Sequence, residues 1–311
     1  MSAPATWSGR TATGARAVVG WWTRPAPLAR VAVLRAAVYL FLGYDVLFLT
    51  NDVIGHGYAP ALYQPTLLGR VLPFPTPSHT TGVLLLVVIL TGSLVAATGR
   101  LPRIAGGTVA VAYLAWMVNS QGFAYVSHDH MALIVATLVL PTVGRARFTD
   151  AGASEAAGWA LRVIQVATVA TYVGSGINKW VRNGSPWAWA NSAVFTWAIL
   201  RRGTAVIRWI LDVPVLLRIG QWTLLLAELA SPVIFWLRGR WQLAAIGFFL
   251  TFHVATFLSL GIHFLPTVIC WASFAPLERV VPPVQRAAAR WATRWATRLP
   301  DGLRGRATEA R

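Results

Sequence analysis

The sequence predicts an all-α fold: a polytopic bundle of about eight membrane-spanning helices with both termini on the cytoplasmic side. Three observations predict it. Of the 311 residues, 56% are hydrophobic and only 12% charged, against about 25% charged in an ordinary soluble domain. The apolar residues fall in runs of about 20, the length that crosses roughly 30 Å of hydrocarbon. Arginines collect between those runs, as the connections of a multi-pass protein require.

In chain order the runs lie at 28–49, 80–98, 104–124, 129–144, 157–180, 215–237, 241–260 and 263–278. The first comes after a polar, basic, proline-punctuated stretch at 1–27 with no cleavable signal pattern, so it reads as a retained helix. The run at 129–144 is short and meets Pro141. The last contains Pro266, which predicts a broken or re-entrant segment shielded by protein. Three parts result: a basic cytoplasmic tail at 1–27, a transmembrane domain at 28–280 and a basic amphipathic tail at 281–311.

The net charge of +17 comes from 26 arginines and one lysine against ten acids. Such a balance suggests nucleic acid when it forms one patch. Here its spacing fits the positive-inside rule and anionic headgroups, so membrane lipid and not nucleic acid is the expected partner. Arg10, Arg16, Arg24 and Arg30 precede or open the first run; Arg100, Arg103, Arg145, Arg147, Arg238 and Arg240 fill the even-numbered connections. Arg279, Arg286, Arg290, Arg294 and Arg298 come after the last run. That pattern places both termini in the cytoplasm and the chain in the cell membrane. The connection 181–214 dissents with Arg182, Arg201, Arg202 and Arg208. Its Trp187, Trp189 and Trp197 suit headgroup depth, so it is expected to hold an interfacial helix. In the tail, RWATRWATR at 290–298 sets Trp291 and Trp295, and Arg290, Arg294 and Arg298, four apart as stripes on a surface helix.

Cys270 is the only cysteine, which excludes an intrachain disulfide and a cysteine metal cluster. No phosphate loop, nucleotide fingerprint or HExxH motif occurs.

Ionisable groups at membrane depth are costly and mark function. Lys179, in YVGSGINKW, stands where every other cationic position carries arginine. Arginine keeps its proton, whereas a desolvated lysine can release one and act as a base; a snorkelling helix-end lysine is the plainer alternative. His128, Asp129 and His130 form a second group, with His130 one step inside the helix. Neighbours at i and i+2 face different ways, so no metal site is expected there. His253 and His263 bracket the end of the seventh run, and Asp45, Asp52 and His56 lie near the outer end of the first. Glu228, midway along the sixth, reads as a substrate or proton group or as the partner of an arginine such as Arg35, itself near the inner face. Lys179, His130, His253, His263, Asp45 and Asp52 are all expected toward the outer leaflet, under the tryptophan-rich connection.

The run GSGINKW resembles the lysine-bearing stretch of the vitamin K-dependent γ-glutamyl carboxylases and the wider HTTM (horizontally transferred transmembrane) family. HDHMALIVA at 128–136 is similar to that family's N-H-x-Y-L segment, matching His130 to its histidine, and TFHVATFLSLGIHFLPTVICWASFAPLE at 251–278 is similar to its F-H-x(6–8)-I-G-x-F segment. The likeness covers roughly residues 28–280 and corresponds to a short form without the carboxylases' large extramembrane C-terminal region. It implies a reduced quinone, of the menaquinone or vitamin K hydroquinone type, with Lys179 as the base toward it and His130 as a supporting acid. In the carboxylases oxygen turns the quinol into a strong base, which takes a proton from glutamate before carbon dioxide is captured.

Two further readings stay open on the sequence. One is a non-catalytic membrane factor for maturation or export of a secreted peptide, or a lipid-binding scaffold. The other is a transporter, against which stands the lack of a paired inverted repeat.

Overall fold

The computed structural model describes residues 16–72, 74–123 and 127–298. Arg10 and the tail beyond residue 298 lie outside the described residues. The fold is all-α, and among the described residues the one sheet is an antiparallel pairing of Ala26–Pro27 with Ala153–Ser154.

The main helices are α1 (Leu28–Tyr44), α2 (His79–Ala97), α3 (Ile104–Gln121), α4 (Met131–Val139), α5 (Glu155–Asn183), α6 (Ala193–Arg202), α7 (Pro214–Ala230), α8 (Arg240–Leu260), α9 (Leu265–Trp271) and α10 (Val281–Arg298). Several starts are set by side chains: Ser78 Oγ accepts from the Thr81 amide and Ser154 Oγ from the Ala157 amide, each capping amides left free in the first turn. At the end of α8, Gly261 takes φ +65°, a left-handed conformation that a side chain disfavours.

Each of the eight predicted runs contains helix, but among the described residues only four helices are long and apolar enough to cross a membrane: Leu28–Leu49, His79–Ala97, Glu155–Asn183 and Gly239–Leu260. The expectation of about eight such helices is corrected to this number for identifiable reasons. The last turn of α3 is polar, with Asn119, Ser120 and Gln121. In the fourth run α4 has nine residues between two short 3₁₀ turns, the second holding Pro141; at 1.5 Å per residue it rises about 14 Å. The seventeen residues of α7 pass into a 3₁₀ turn at Pro232, and α9 has seven residues.

The core forms around α1. Its Val31, Leu34, Val38 and Leu42 are buried against Ile89 of α2, Tyr113 and Trp116 of α3, Leu133 of α4 and Ile164 of α5. By contrast α8 is peripheral: 11% of its apolar window is buried, against 50% for the first helix. Leu243, Phe248, Val254, Phe257 and Leu258 are exposed along it, an apolar surface suited to lipid.

Three features shape the bundle around α1. First, α1 ends in a π-helical turn, Asp45–Leu49, which turns Asp45 wholly inward; such turns recur at functional sites. Second, Arg35 neither snorkels nor pairs with Glu228. It is buried and donates to the Gly144 carbonyl at 2.9 Å and the Ala146 carbonyl at 2.5 Å, satisfying backbone where the fourth run ends. Third, Arg30 grips Glu278 with two hydrogen bonds of 2.8 Å, fastening the start of α1 to the 3₁₀ turn after α9. Those bonds hold the Glu278 carboxyl below its ordinary range. Beyond that turn α10 runs through RWATRWATR as helix, with Arg286, Arg290 and Trp291 exposed.

Candidate functional site

Helices α5 and α7 pass close together at Gly176, where a β-carbon would stand 2.9 Å from Leu229 Cδ2 and 3.4 Å from Glu228 Cβ. This gap brings Lys179, one turn on, against Glu228. The Lys179 Nζ donates to both Glu228 oxygens at 2.5 Å and to Ser175 Oγ at 2.8 Å. Ser175 in turn donates to Glu228 Oε1 at 3.2 Å. The Trp189 ring, from the connection after α5, lies 5.3 Å from Nζ, within cation–π range. Trp189 is buried, so the expected interfacial tryptophans divide: Trp187 and Trp197 are exposed, whereas Trp189 covers the lysine.

The pair borders a cavity of about 280 Å³ between α5, α7, α8 and the starts of α4 and α9. His128, Asp129, Tyr172, Lys179, Glu228 and His253 give it polar atoms, while Phe195, Leu224, Phe252 and Phe264 make most of its wall apolar. Phe195, Leu224, Phe252 and Thr256 also line a second space, an apolar groove of about 590 Å³ bounded by α6, α7 and α8. Ala198, Ile199, Leu217, Gly220, Phe248 and Ala255 complete much of that groove. A mostly apolar cavity with ionisable side chains in its wall and a groove lined almost wholly by apolar residues therefore share a wall.

Behind the cavity is a buried chain. Asp129, which borders the cavity, meets His130 Nδ1 at 3.1 Å, and His130 Nε2 meets Asp45 Oδ1 at 2.9 Å. The Tyr113 hydroxyl donates to Asp45 Oδ2 at 2.8 Å, Thr50 Oγ1 is 3.4 Å from the same oxygen, and Trp116 Nε1 donates to Thr50 at 2.8 Å. Both imidazole nitrogens face carboxyl oxygens, so with both acids ionised the ring is a donor at each nitrogen, as imidazolium. Its position between two acids leaves it no nitrogen for a metal. Among the described residues no three His, Cys, Asp or Glu side chains group as metal ligands.

The predicted residues thus separate. Lys179, Glu228, His253, His128 and Asp129 share the cavity. His130 and Asp45 do not line it and reach it through Asp129. Asp52 and His263 also stand outside: Asp52 pairs with His56 at 3.4 Å on the α1–α2 connection. The π-turn ends the first helix at Leu49, before Asp52, and the hydropathy of the first run does not register it. Sequence reasoning missed Ser175, Tyr172, Trp271 and Thr267, whose hydroxyl fixes the Asp129 carbonyl at 2.8 Å. Ser175 carried a legible signal, lying one turn before Lys179; the others are ordinary apolar-run residues until the helices are packed.

Comparison of the chain with family models, curated proteins and solved structures finds no match.

Proposed function

We propose that this is a multi-pass protein of the cell membrane, of the HTTM and γ-carboxylase-like kind, whose cavity binds the head of a reduced quinone and handles its protons. One observation carries the reading: the cavity that holds the ionisable groups Lys179 and Glu228 shares a wall with an apolar groove free of ionisable side chains, the two-part space that a polar head and a hydrocarbon tail require. The donor set fits a quinol. A hydroxyl at the Lys179–Glu228 pair would meet both an acceptor and a cation, and the isoprenoid would replace solvent or lipid in the groove. When bound, a reduced quinone supplies two reducing equivalents and, with oxygen, the strong base on which carboxylation depends.

The chain's own residues divide the proton work. The Glu228 carboxylate accepts a proton from a hydroxyl within hydrogen-bond reach, and the Lys179 ammonium stabilises the oxyanion that remains. By the other route the Lys179 proton passes first to Glu228 and the free amine takes the hydroxyl proton; either route adds one proton to the pair. His130 supports from behind by fixing and charging Asp129 rather than by touching the ligand. The cavity residues Lys179 and His253 lie toward the C-terminal ends of α5 and α8, and the arginine distribution supports reading that end as extracytoplasmic. The shorter helices complete the crossing, with both termini in the cytoplasm and membrane lipid around them. A secreted peptide is the proposed recipient of the chemistry.

Mass spectrometry of lipid extracted from the purified protein tests this. A quinone should co-purify with the wild type and be lost from Lys179→Met. Its consistent absence from wild-type protein refutes the reading. The closure of Lys179 onto Glu228 favours one alternative, a maturation factor or lipid-binding scaffold in which the pair only joins helices. Under that reading a Lys179→Met, His130→Ala double variant retains function in cells.

A further inference from the structure

Tyr172, His253 and Trp271 form a chain in which the hydrogens can be assigned. The indole Nε1 of Trp271 can only donate, and it donates to Tyr172 Oη at 2.9 Å. The same oxygen is hydrogen-bonded to His253 Nε2. Among the described residues no other acceptor meets the Tyr172 hydroxyl. Its hydrogen therefore belongs on the His253 side, His253 Nε2 is the bare nitrogen, and the ring's own hydrogen sits on Nδ1. Nδ1 is buried with no hydrogen-bond partner among the described residues, in a residue only 7% exposed. The rings packed against it, Phe252 and Phe264, offer no acceptor oxygen. His253 nevertheless lines the cavity together with Lys179 and Glu228. A buried donor left without an acceptor is uncommon in a folded protein.

We infer that His253 reads the ligand's head: a neutral imidazole, oriented by Tyr172 and Trp271, that donates an Nδ1–H hydrogen bond to a carbonyl or oxyanion oxygen. This rests on the reading that the cavity takes a ligand head, and it specifies the chemistry of that head. The ligand presents an oxygen acceptor to His253 and a second polar group to the Lys179–Glu228 pair. A head that is only a cation, such as a quaternary amine, has nothing to offer the imidazole. His253 thereby discriminates between ligands, and Tyr172 acts through it as a positioning residue. Asp129 and His128 border the same cavity and are the other ionisable groups that a head would meet.

The test is nitrogen-15 NMR of the full chain, labelled at its six histidines and held in lipid nanodiscs, with the His253 signals identified by their loss in His253→Gln or by contact with Tyr172. Protonated and bare ring nitrogens resonate far apart, so the tautomer is read directly. The expected spectrum has a protonated Nδ1 and a bare Nε2. Adding 2-methyl-1,4-naphthoquinone, a head with two carbonyls and no tail, should move the Nδ1 resonance. In Tyr172→Phe the Nδ1–H preference should be lost and affinity for the same compound should fall about tenfold, the loss of one oriented hydrogen bond. Should that variant not fold, the wild-type spectra decide alone. A hydrogen on Nε2 in the wild type overturns the inference, as does naphthoquinone binding that leaves Nδ1 unmoved. A protonated Nδ1 with no binding of the naphthoquinone or of its dithionite-reduced quinol supports His253 as a donor and removes the quinone reading instead.

Discussion

Lys179 Nζ lies 2.5 Å from both carboxylate oxygens of Glu228, so the chain's one lysine and a glutamate 49 residues further on share their charge between two helices. An ion pair that is largely removed from water gains less than its geometry suggests, because each partner loses hydration. What it does impose is mutual dependence.

Removing one partner should therefore be worse than removing both. Lys179→Met leaves the Glu228 carboxylate buried without its cation and should lower stability by about 3–5 kcal/mol. Adding Glu228→Leu should recover most of that loss. Thermal unfolding of the purified single and double variants measures the difference; equal stability of the two would contradict a coupled pair.

Tyr113→Phe deletes the hydroxyl that donates to buried Asp45 at 2.8 Å. Stability should fall by about 1.5–3 kcal/mol, the range for a hydrogen bond to a charged acceptor. His130→Leu should cost more, since Asp45 and Asp129 then lose the imidazolium between them. If chemical denaturation ranks these two variants in the reverse order, His130 is not the charge that holds the cluster together.

The apolar groove should govern tail recognition. A side chain at Gly220 would start 3.3 Å from the Phe195 ring and fill the space. Gly220→Trp should weaken binding of a long-tailed quinone tenfold or more, because each methylene excluded from the groove forfeits about 0.8 kcal/mol. Affinity for a tail-less naphthoquinone should stay within about twofold, a smaller change than a displaced methylene would bring. Titration with both compounds checks this, and equal losses for the two would place the tail elsewhere.

The Arg30–Glu278 fastening should be visible in the acid dependence of stability. The Glu278 carboxyl is held low in the folded protein by the guanidinium. Its contribution is then fully present above the unfolded carboxyl value of about 4.3 and is lost as pH falls through the folded value. Glu278→Gln should lower stability near neutral pH by about 1 kcal/mol or less. The gap from wild type should close below about pH 4. A gap independent of pH would mean that the glutamate acts by packing alone.

Much of this architecture is legible in the residues. The helical class follows from runs of apolar side chains, and the approach of Lys179, His253 and the HDH segment follows from their positions near corresponding helix ends. The π-turn at Asp45 was hidden, because a turn that inserts one residue leaves the hydropathy of a run unchanged. The shortness of α4 and α9 was legible only in part, through Pro141 and Pro266. The partner of Glu228 was not legible at all: arginines outnumber the lone lysine 26 to one, and only the close pass at Gly176 selects Lys179.

By itself the sequence determined an all-helical chain with apolar runs long enough for a membrane and with rare polar groups along them, since hydrophobicity and period are properties of consecutive residues. Tertiary structure alone decided that Lys179 closes on Glu228, that His130 stands behind Asp129 and that Tyr172 orients His253. Such pairings depend on the rotation and separation of helices far apart in the chain. Those are set by side-chain packing across interfaces, to which no local pattern of residues refers.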